Sequence, residues 1–477
     1  MNDRELIQQP LTVISGLFRA KKLSPVEYLK AYLTRIDRYD PLINAFIDVD
    51  REGASAAARA AELEIAQGRW RGFLHGVPVA IKDIIDVEGQ RTSAHSKIRL
   101  DHIAERDSFA VRRLREAGAI HVGKTALHEF ATGGPSFDLP WPPARNPWNI
   151  GRHPGGSSSG SGAAVAAQLV PAALGTDTGG SVRHPATACG IVGMKPTFGV
   201  VSRAGVFPLS PSLDHVGVLT GRVEDNAVAL EPLLVGDRGD PESIRHPSPD
   251  LRSRIENGIR GLRLGIVEQF GADADQEIRE AFAICLRKLE ELGADLAPVK
   301  LSPLDHYARC SRVILQAESY AIHEDWLRSR PNDYGKRGRL RLEAGSRHSA
   351  ADYIRAVQLR AELQREFANA TAAFDAVLSV SSLELPCEID DEAEINRTYD
   401  RQARAPFSLL GVPALSIPNG FSKAGLPMGF QIAGSAFSEA TIYRIARCYE
   451  AHTDWHLQHP NLDAARNANF ERQNGTG

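Results

Sequence analysis

The sequence predicts an α/β fold, and three observations carry that prediction. Helix-spaced and strand-like runs alternate between about residues 25 and 125, a second alternation begins near residue 260, and two core-strand patterns near 414–432 are followed by a closing helix. Ser24-Pro25-Val26-Glu27 reads as a capping box with Pro at the first helical position, and Leu29, Tyr32, Leu33 and Ile36 follow at helical spacing, so a helix is expected near 25–39. An Ala-rich helical stretch follows near Ser55–Gln67. Val77 to Ile85 is a short run rich in β-branched residues, the pattern of a buried strand and its exit. Ser108–Ala117 is helical and stops at Gly118, and Ile120-His121-Val122 reads as a strand.

In the second alternation Leu262–Val267 reads as a strand, and Asp275–Leu292 is amphipathic through Ile278, Ala281, Phe282, Cys285 and Leu289, with Gly293 at its C-cap position. Helical segments at about 306–329 and 350–372 precede a strand at Ala376-Val377-Leu378. Ala414–Ile417 and Met428–Ile432 are core strands, and Thr441–Ala451 is the closing helix. Residues 236–260, rich in Asp, Pro, Ser and Arg, form the most linker-like region, and there is no internal repeat.

Composition narrows the function classes. The chain has 477 residues, 56 Lys+Arg against 59 Asp+Glu, and a formal net charge of -3, so it lacks the basic excess of a nucleic-acid binder. Its five cysteines are scattered with no CxxC pair, which points to a reducing, cytoplasmic setting rather than a disulfide framework. The N-terminus has no signal-like apolar run. Pro154–Thr176 is uncharged and long enough to span a bilayer, yet it opens with eight Gly and Ser residues and contains Pro171, so no membrane partner is expected.

Four segments hold residues with chemical potential. The Gly/Ser block 155–162 could be a flexible linker, but it leads straight into the apolar helix pattern Ala163–Ala167; its Gly156–Gly160 is a literal GxSxG that lacks a preceding strand. Gly118–Thr125 matches GxxxxGK[ST], although its apolar, β-branched interior suits a sheet ladder better than a phosphate cradle. His452, His456 and His459 fall at i, i+4 and i+7, a metal-compatible spacing that equally describes solvent-facing histidines near a chain end. In Gly175-Thr176-Asp177-Thr178-Gly179-Gly180-Ser181-Val182-Arg183, adjacent glycines permit a nest of convergent N–H groups with a hydroxyl at its rim, or simply a tight turn ending in Ser. Lys82 lies in the apolar 77–85 run, where desolvation would favour its neutral form; the plain alternative is a snorkelling side chain. Together, a buried Lys, a hydroxyl-rich glycine loop and a Gly-Gly-Ser nest make a constellation for acyl transfer without histidine.

These residues resemble the amidase signature family. The glycine/serine stretch running into Gly-Thr-Asp-x-Gly-Gly-Ser-x-Arg is present from Gly155 to Arg183, flanked by Gly76–Asp83, Asn146-Pro147-Trp148 and Cys189–Thr197. The match is dense over about 70–220, returns at Gly411-Val412-Pro413, and is poor over about 236–400. The resemblance implies a large mixed, twisted β-sheet with helices on both faces. It implies one domain over 1–477, with an N-terminal helical layer (1–70), a signature core (70–220), a divergent pocket region (236–400) and a C-terminal return to the core (400–477). It further implies a Ser–cis-Ser–Lys triad: Ser181 as nucleophile, Ser157 as the relay preceded by a cis peptide, and Lys82 as base. The N–H groups of Thr178, Gly179, Gly180 and Ser181 would form the oxyanion hole, Asp177 and Arg183 a supporting ion pair, and Ser158 a hydrogen bond to Lys82.

By the same resemblance the partner is a small-molecule amide, with no cofactor or metal, and a homodimer is the family-level expectation. Two branches compete, with a non-catalytic binding protein on the same fold as a minor alternative. One is the stand-alone amidase; the other is the A subunit of the glutamyl-tRNA amidotransferase, which works with B and C subunits and recognises glutamine through an Arg and an Asp. Arg341 matches that Arg, whereas Arg401 falls at the Asp and reverses its charge, which tilts the expectation to a stand-alone hydrolase.

Overall fold

The structure is a computed structural model, described here for residues 2–246, 250–399 and 401–467. Among these residues, eleven strands join one mixed sheet: β1 (Phe46–Val49), β2 (Pro78–Lys82), β3 (Ile120–Thr125), β4 (Ala172–Asp177), β5 (Val192–Lys195), β6 (His215–Thr220), β7 (Arg263–Ile266), β8 (Asp295–Pro298), β9 (Ala376–Val380), β10 (Ala414–Phe421) and β11 (Pro427–Ala433). Their spatial order is β1-β3-β2-β4-β6-β5-β10-β11-β9-β7-β8. Parallel pairs β3–β2–β4 on one side and β9–β7–β8 on the other flank an antiparallel centre running from β4 to β9. Strands β2, β4, β5, β6, β9 and β11 are buried at every residue, so both faces of the central sheet are covered. This is the α/β architecture expected from the alternating patterns.

Local sequence explains most of the boundaries. Ser24 and Glu27 close the capping box that starts the helix Pro25–Ile43, which runs past the expected end because Pro41 fits within its last stretch and left-handed Asn44 terminates it. Pro78 opens β2, a position where a strand needs no donor from it. The helix Gln276–Glu291 buries Ile278, Ala281, Phe282, Cys285 and Leu289, the stripe its spacing indicates. β3 extends three residues beyond Val122, through Thr125, pairing with β2 on one side and β1 on the other. The linker-like 236–260 region packs back on the fold instead of spacing two halves: Leu251, Ile255 and Ile259 are buried, and the Ser202 hydroxyl donates to the carboxylates of Asp237 (2.8 Å) and Asp240 (3.1 Å). Among the described residues no helix is long and apolar enough to cross a membrane.

Two sequence alternatives lose their geometry here. Lys124 of the GxxxxGKT match lies within β3, with Nζ 3.1 Å from an Asp83 carboxylate oxygen, donating to the Ile85 carbonyl (2.7 Å) and the Thr92 hydroxyl (3.1 Å). Its loop is a sheet strand, not a cradle. The closing helix, Glu439–Ala451, ends before the histidines: His452 is its C-cap and His456 sits in a separate 3₁₀ turn, so the three rings do not share a helix face.

Candidate active site

Two neighbouring parallel strands deliver the site at their carboxyl ends. β2 and β4 pair with Ile81 opposite Leu174, so Lys82 at the end of β2 emerges beside Thr176 and Asp177 at the end of β4. Two loops complete it. Residues Gly155–Ser158 lead into the helix Ser159–Ala166, and Thr178–Val182 lead into the helix Arg183–Cys189. The loops are tied together, since the Ser158 N–H donates to the Ser181 carbonyl (3.2 Å).

Lys82 is fully buried, and its Nζ lies 2.8 Å from the Ser157 hydroxyl oxygen and 2.7 Å from that of Thr176. Burial pushes its pKa down to about 7, against the opposing pull of the Asp214 and Asp177 carboxylates. Ser157 follows a cis peptide bond from Gly156. A side chain at Gly156 would collide with the His128 ring, so glycine is required there by close approach. Ser157 and Ser181 line one cavity of about 150 Å³, together with Thr178 and Gly179, a volume on the scale of a benzene-sized guest.

Asp177 organises the nest. Its carboxylate accepts the Gly180 N–H (2.8 Å), the Val182 N–H (3.2 Å) and the Ser408 hydroxyl (2.8 Å), and it pairs with Arg183 through Nε and Nη2, both at 3.0 Å. Both side chains have no exposed surface. Burial works to raise the Asp177 pKa, but the Arg183 charge and hydrogen bonds hold it well below the ordinary carboxylate range. Removing one partner of such a buried pair costs ~3–5 kcal/mol, which is why the loop conformation is fixed. Thr178 donates its hydroxyl to Asp214 (2.5 Å), anchoring the other end of the nest.

Two expectations are corrected. The Gly180 N–H, expected among the oxyanion donors, is spent on the Asp177 carboxylate instead. Ser158 does not bind Lys82: its hydroxyl donates to the Thr176 carbonyl and accepts the Thr176 N–H, both at 3.2 Å, which also disposes of it as the middle serine of a GxSxG nucleophile turn. Arg341 lies on the cavity wall, its guanidinium 4.1 Å over the Tyr399 ring and donating to Asn396 (3.3 Å). Arg401 lines the same cavity but bridges Asp273 and Asp305.

Sequence reasoning missed three participants. Thr176 holds Lys82 from inside the glycine-rich motif itself; His128 packs on Gly156; and Arg404 stands over Gly180.

A profile described as Amidase matches residues 27–443. The chain belongs to the amidase signature family. An amidase of Pseudomonas putida is 39% identical over 473 residues, covering 96% of this chain and 99% of that protein. The A subunit of the glutamyl-tRNA(Gln) amidotransferase from Roseiflexus sp. (strain RS-1) is 36% identical over 469 residues, covering 92% of this chain and 96% of that protein. Among solved structures, the native peptide amidase of Stenotrophomonas maltophilia superposes with a TM-score of 0.84 at 30% identity, covering 95% of this chain and 99% of that one. This family member is an amidase, an enzyme that hydrolyses amide bonds.

Proposed function

We propose that Ser181 is the nucleophile, Ser157 the proton relay and Lys82 the base of an amide-hydrolysing site. The observation that carries this reading is the buried Lys82 Nζ within 2.8 Å of the Ser157 hydroxyl, at a cavity that Ser157 shares with Ser181. Neutral Lys82 keeps a lone pair for the Ser157 proton while one of its own N–H groups is held by Thr176. As Ser157 passes its proton to Lys82, it takes the proton of Ser181, whose oxygen attacks the substrate carbonyl. The N–H groups of Thr178, Gly179 and Ser181 receive the developing oxyanion, each such donor being worth ~10²–10³ in rate. The proton returns through Ser157 to the leaving nitrogen, and water, activated by the same relay, hydrolyses the acyl-enzyme.

Thr176 then has a positioning role. Thr176→Val is expected to lower kcat/KM about 10- to 100-fold, the cost of one hydrogen bond to a charged group. Its pH midpoint should fall below that of the wild type, because the ammonium form loses an acceptor. A variant with unchanged rate and unchanged midpoint would remove Thr176 from the mechanism.

Two settings for this chemistry differ in substrate and partner. The relatives weigh towards the A subunit of the amidotransferase, with glutamine as the amide and B and C subunits as partners, more than towards the stand-alone hydrolase expected from the sequence. Arg341 on the cavity wall agrees with that setting, while Arg401, tied to Asp273 and Asp305, supplies no negative charge for a substrate ammonium. Measuring ammonia release from glutamine and from simple carboxamides, each with the chain alone and with B and C subunits added, decides between them. Glutamine turnover that appears only with the partners supports the amidotransferase; turnover of simple amides by the chain alone supports the stand-alone enzyme.

A further inference from the structure

One buried cation at the cavity has no job in the chemistry above. Arg404, just before the helix Ala405–Leu410, is 3% exposed and lines the cavity beside Ser181. Its side chain lies across Gly180: a Cβ added there would come within 2.7 Å of the Arg404 Cβ and 2.9 Å of its Nε. Gly180 has φ +124, so both its backbone and its close approach to Arg404 demand glycine. The guanidinium is fixed from behind, where Nη1 donates to the Ser381 carbonyl and to the Ser382 hydroxyl (2.6 Å), and Nη2 donates to Gln402 (3.3 Å). Its Nε is buried without a hydrogen-bond partner.

The charge feels Asp177 and Glu384 only from a distance. Among the described residues no carboxylate pairs with Arg404. Asp177, the nearest anion of the nest, is saturated by Arg183, and Glu384, which lines the same cavity, is bridged to Arg397 (3.3 Å). Two other cavity arginines are already engaged: Arg401 holds two carboxylates and Arg341 stacks on Tyr399. A buried polar group left unpaired is costly, and a buried unpaired guanidinium more so, unless a ligand completes it.

We propose that Arg404 is a specificity-determining residue that binds a carboxylate of the substrate, so that the favoured amides are those of short dicarboxylic acids, with the anionic group close to the scissile carbonyl. Adjacency sets that length. Successive Cα atoms lie about 3.8 Å apart, so a cation across Gly180 is only a short reach from the Ser181 oxygen. Because the guanidinium is held by three hydrogen bonds before substrate arrives, little ordering is needed on binding.

This inference rests on Ser181 being the nucleophile, and its test separates the two. Succinamate and butyramide differ only in the terminal carboxylate against a methyl group, and oxamate and acetamide differ in the same way with the carboxylate two methylenes closer in. The wild type is expected to favour the anionic member of each pair in kcat/KM. Arg404→Met should lower the succinamate-to-butyramide ratio at least 100-fold, with Arg404→Lys, which keeps the charge but not the fork, in between. A purely structural Arg404 would reduce both substrates together and leave the ratio where it was, which would overturn the proposal. Binding supplies a readout without turnover. In a Ser181→Ala background succinamate should raise the unfolding temperature, and adding Arg404→Met should abolish that rise. Equal stabilisation with and without Arg404 would also overturn it. If Ser181 proves not to be the nucleophile, the binding comparison still stands on its own.

Discussion

Ser181→Ala is expected to reduce amide turnover by about 10⁴- to 10⁶-fold, the range seen when the nucleophile of a serine hydrolase is removed. What would remain is the binding and polarising power of the nest, which keeps its N–H groups. The fold should not notice the change. Ser181 contributes to structure through its carbonyl, which accepts the Ser158 N–H, and that bond is untouched by the substitution. Stability should therefore shift by about 1 kcal/mol or less. Ser157→Ala is a different experiment, because it also strips Lys82 of one of its two hydroxyl partners. Single-turnover kinetics with unfolding curves on both variants makes the distinction: Ser181→Ala loses chemistry alone, Ser157→Ala loses chemistry and disturbs the lysine. A serine-directed fluorophosphonate should label the wild type at Ser181. Near-wild-type turnover by Ser181→Ala would end the assignment.

The parts of this protein that are legible in its sequence are those fixed by neighbours along the chain. The 77–85 run is buried because its residues are apolar and β-branched, and the Lys82 within it is fully buried as that context indicates. The Gly155–Gly162 block enters a helix because Ala163–Ala167 follows it. What cannot be read depends on segments that meet only in the fold. Arg183 donates to Gln431, 248 positions away, and Arg404 crosses Gly180 from the far end of the chain; no spacing rule announces either. The loop Thr178–Ser181 is instructive at finer scale. Adjacent glycines indicate a nest, yet which N–H groups stay available is decided by the Asp177 carboxylate, which claims that of Gly180. Thr176 is within reach of sequence reasoning, since a hydroxyl two strand residues from the loop and beside the lysine strand is a natural second acceptor, but that inference requires knowing that β2 and β4 are neighbours. The short β8 escapes the sequence because Asp295–Pro298 has neither an apolar run nor full burial to mark it.

Lys82→Met should abolish activity and make the protein more stable, and the pH dependence of both effects follows from one displaced pKa. An ordinary lysine titrates near 10.4, whereas burial brings Lys82 down to about 7. Below pH 7 the folded protein must hold a buried ammonium, at a cost of roughly 4–5 kcal/mol relative to the solvated group. Between pH 7 and about 10.4 the unfolded chain binds the extra proton, so the stability of the wild type rises with pH across that window and is flat below it. Methionine has nearly the same length and carries no charge, so the variant lacks this slope. It forfeits the hydrogen bonds to Ser157 and Thr176, an offset of about 1–2 kcal/mol. The expected outcome is a variant more stable than the wild type by ~2–3 kcal/mol at pH 7, with the gap shrinking by about 1.4 kcal/mol per pH unit above that and reversing at about pH 9. Over the same range, kcat/KM of the wild type should climb tenfold per unit up to about pH 7 and then level off, since only the neutral amine can take the Ser157 proton. Stability bought by deleting the base would mark Lys82 as a group kept for its chemistry against the interest of the fold. A variant no more stable than the wild type at pH 7, or a rate that stays flat from pH 6 to 9 while chemistry is limiting, would remove Lys82 from that role.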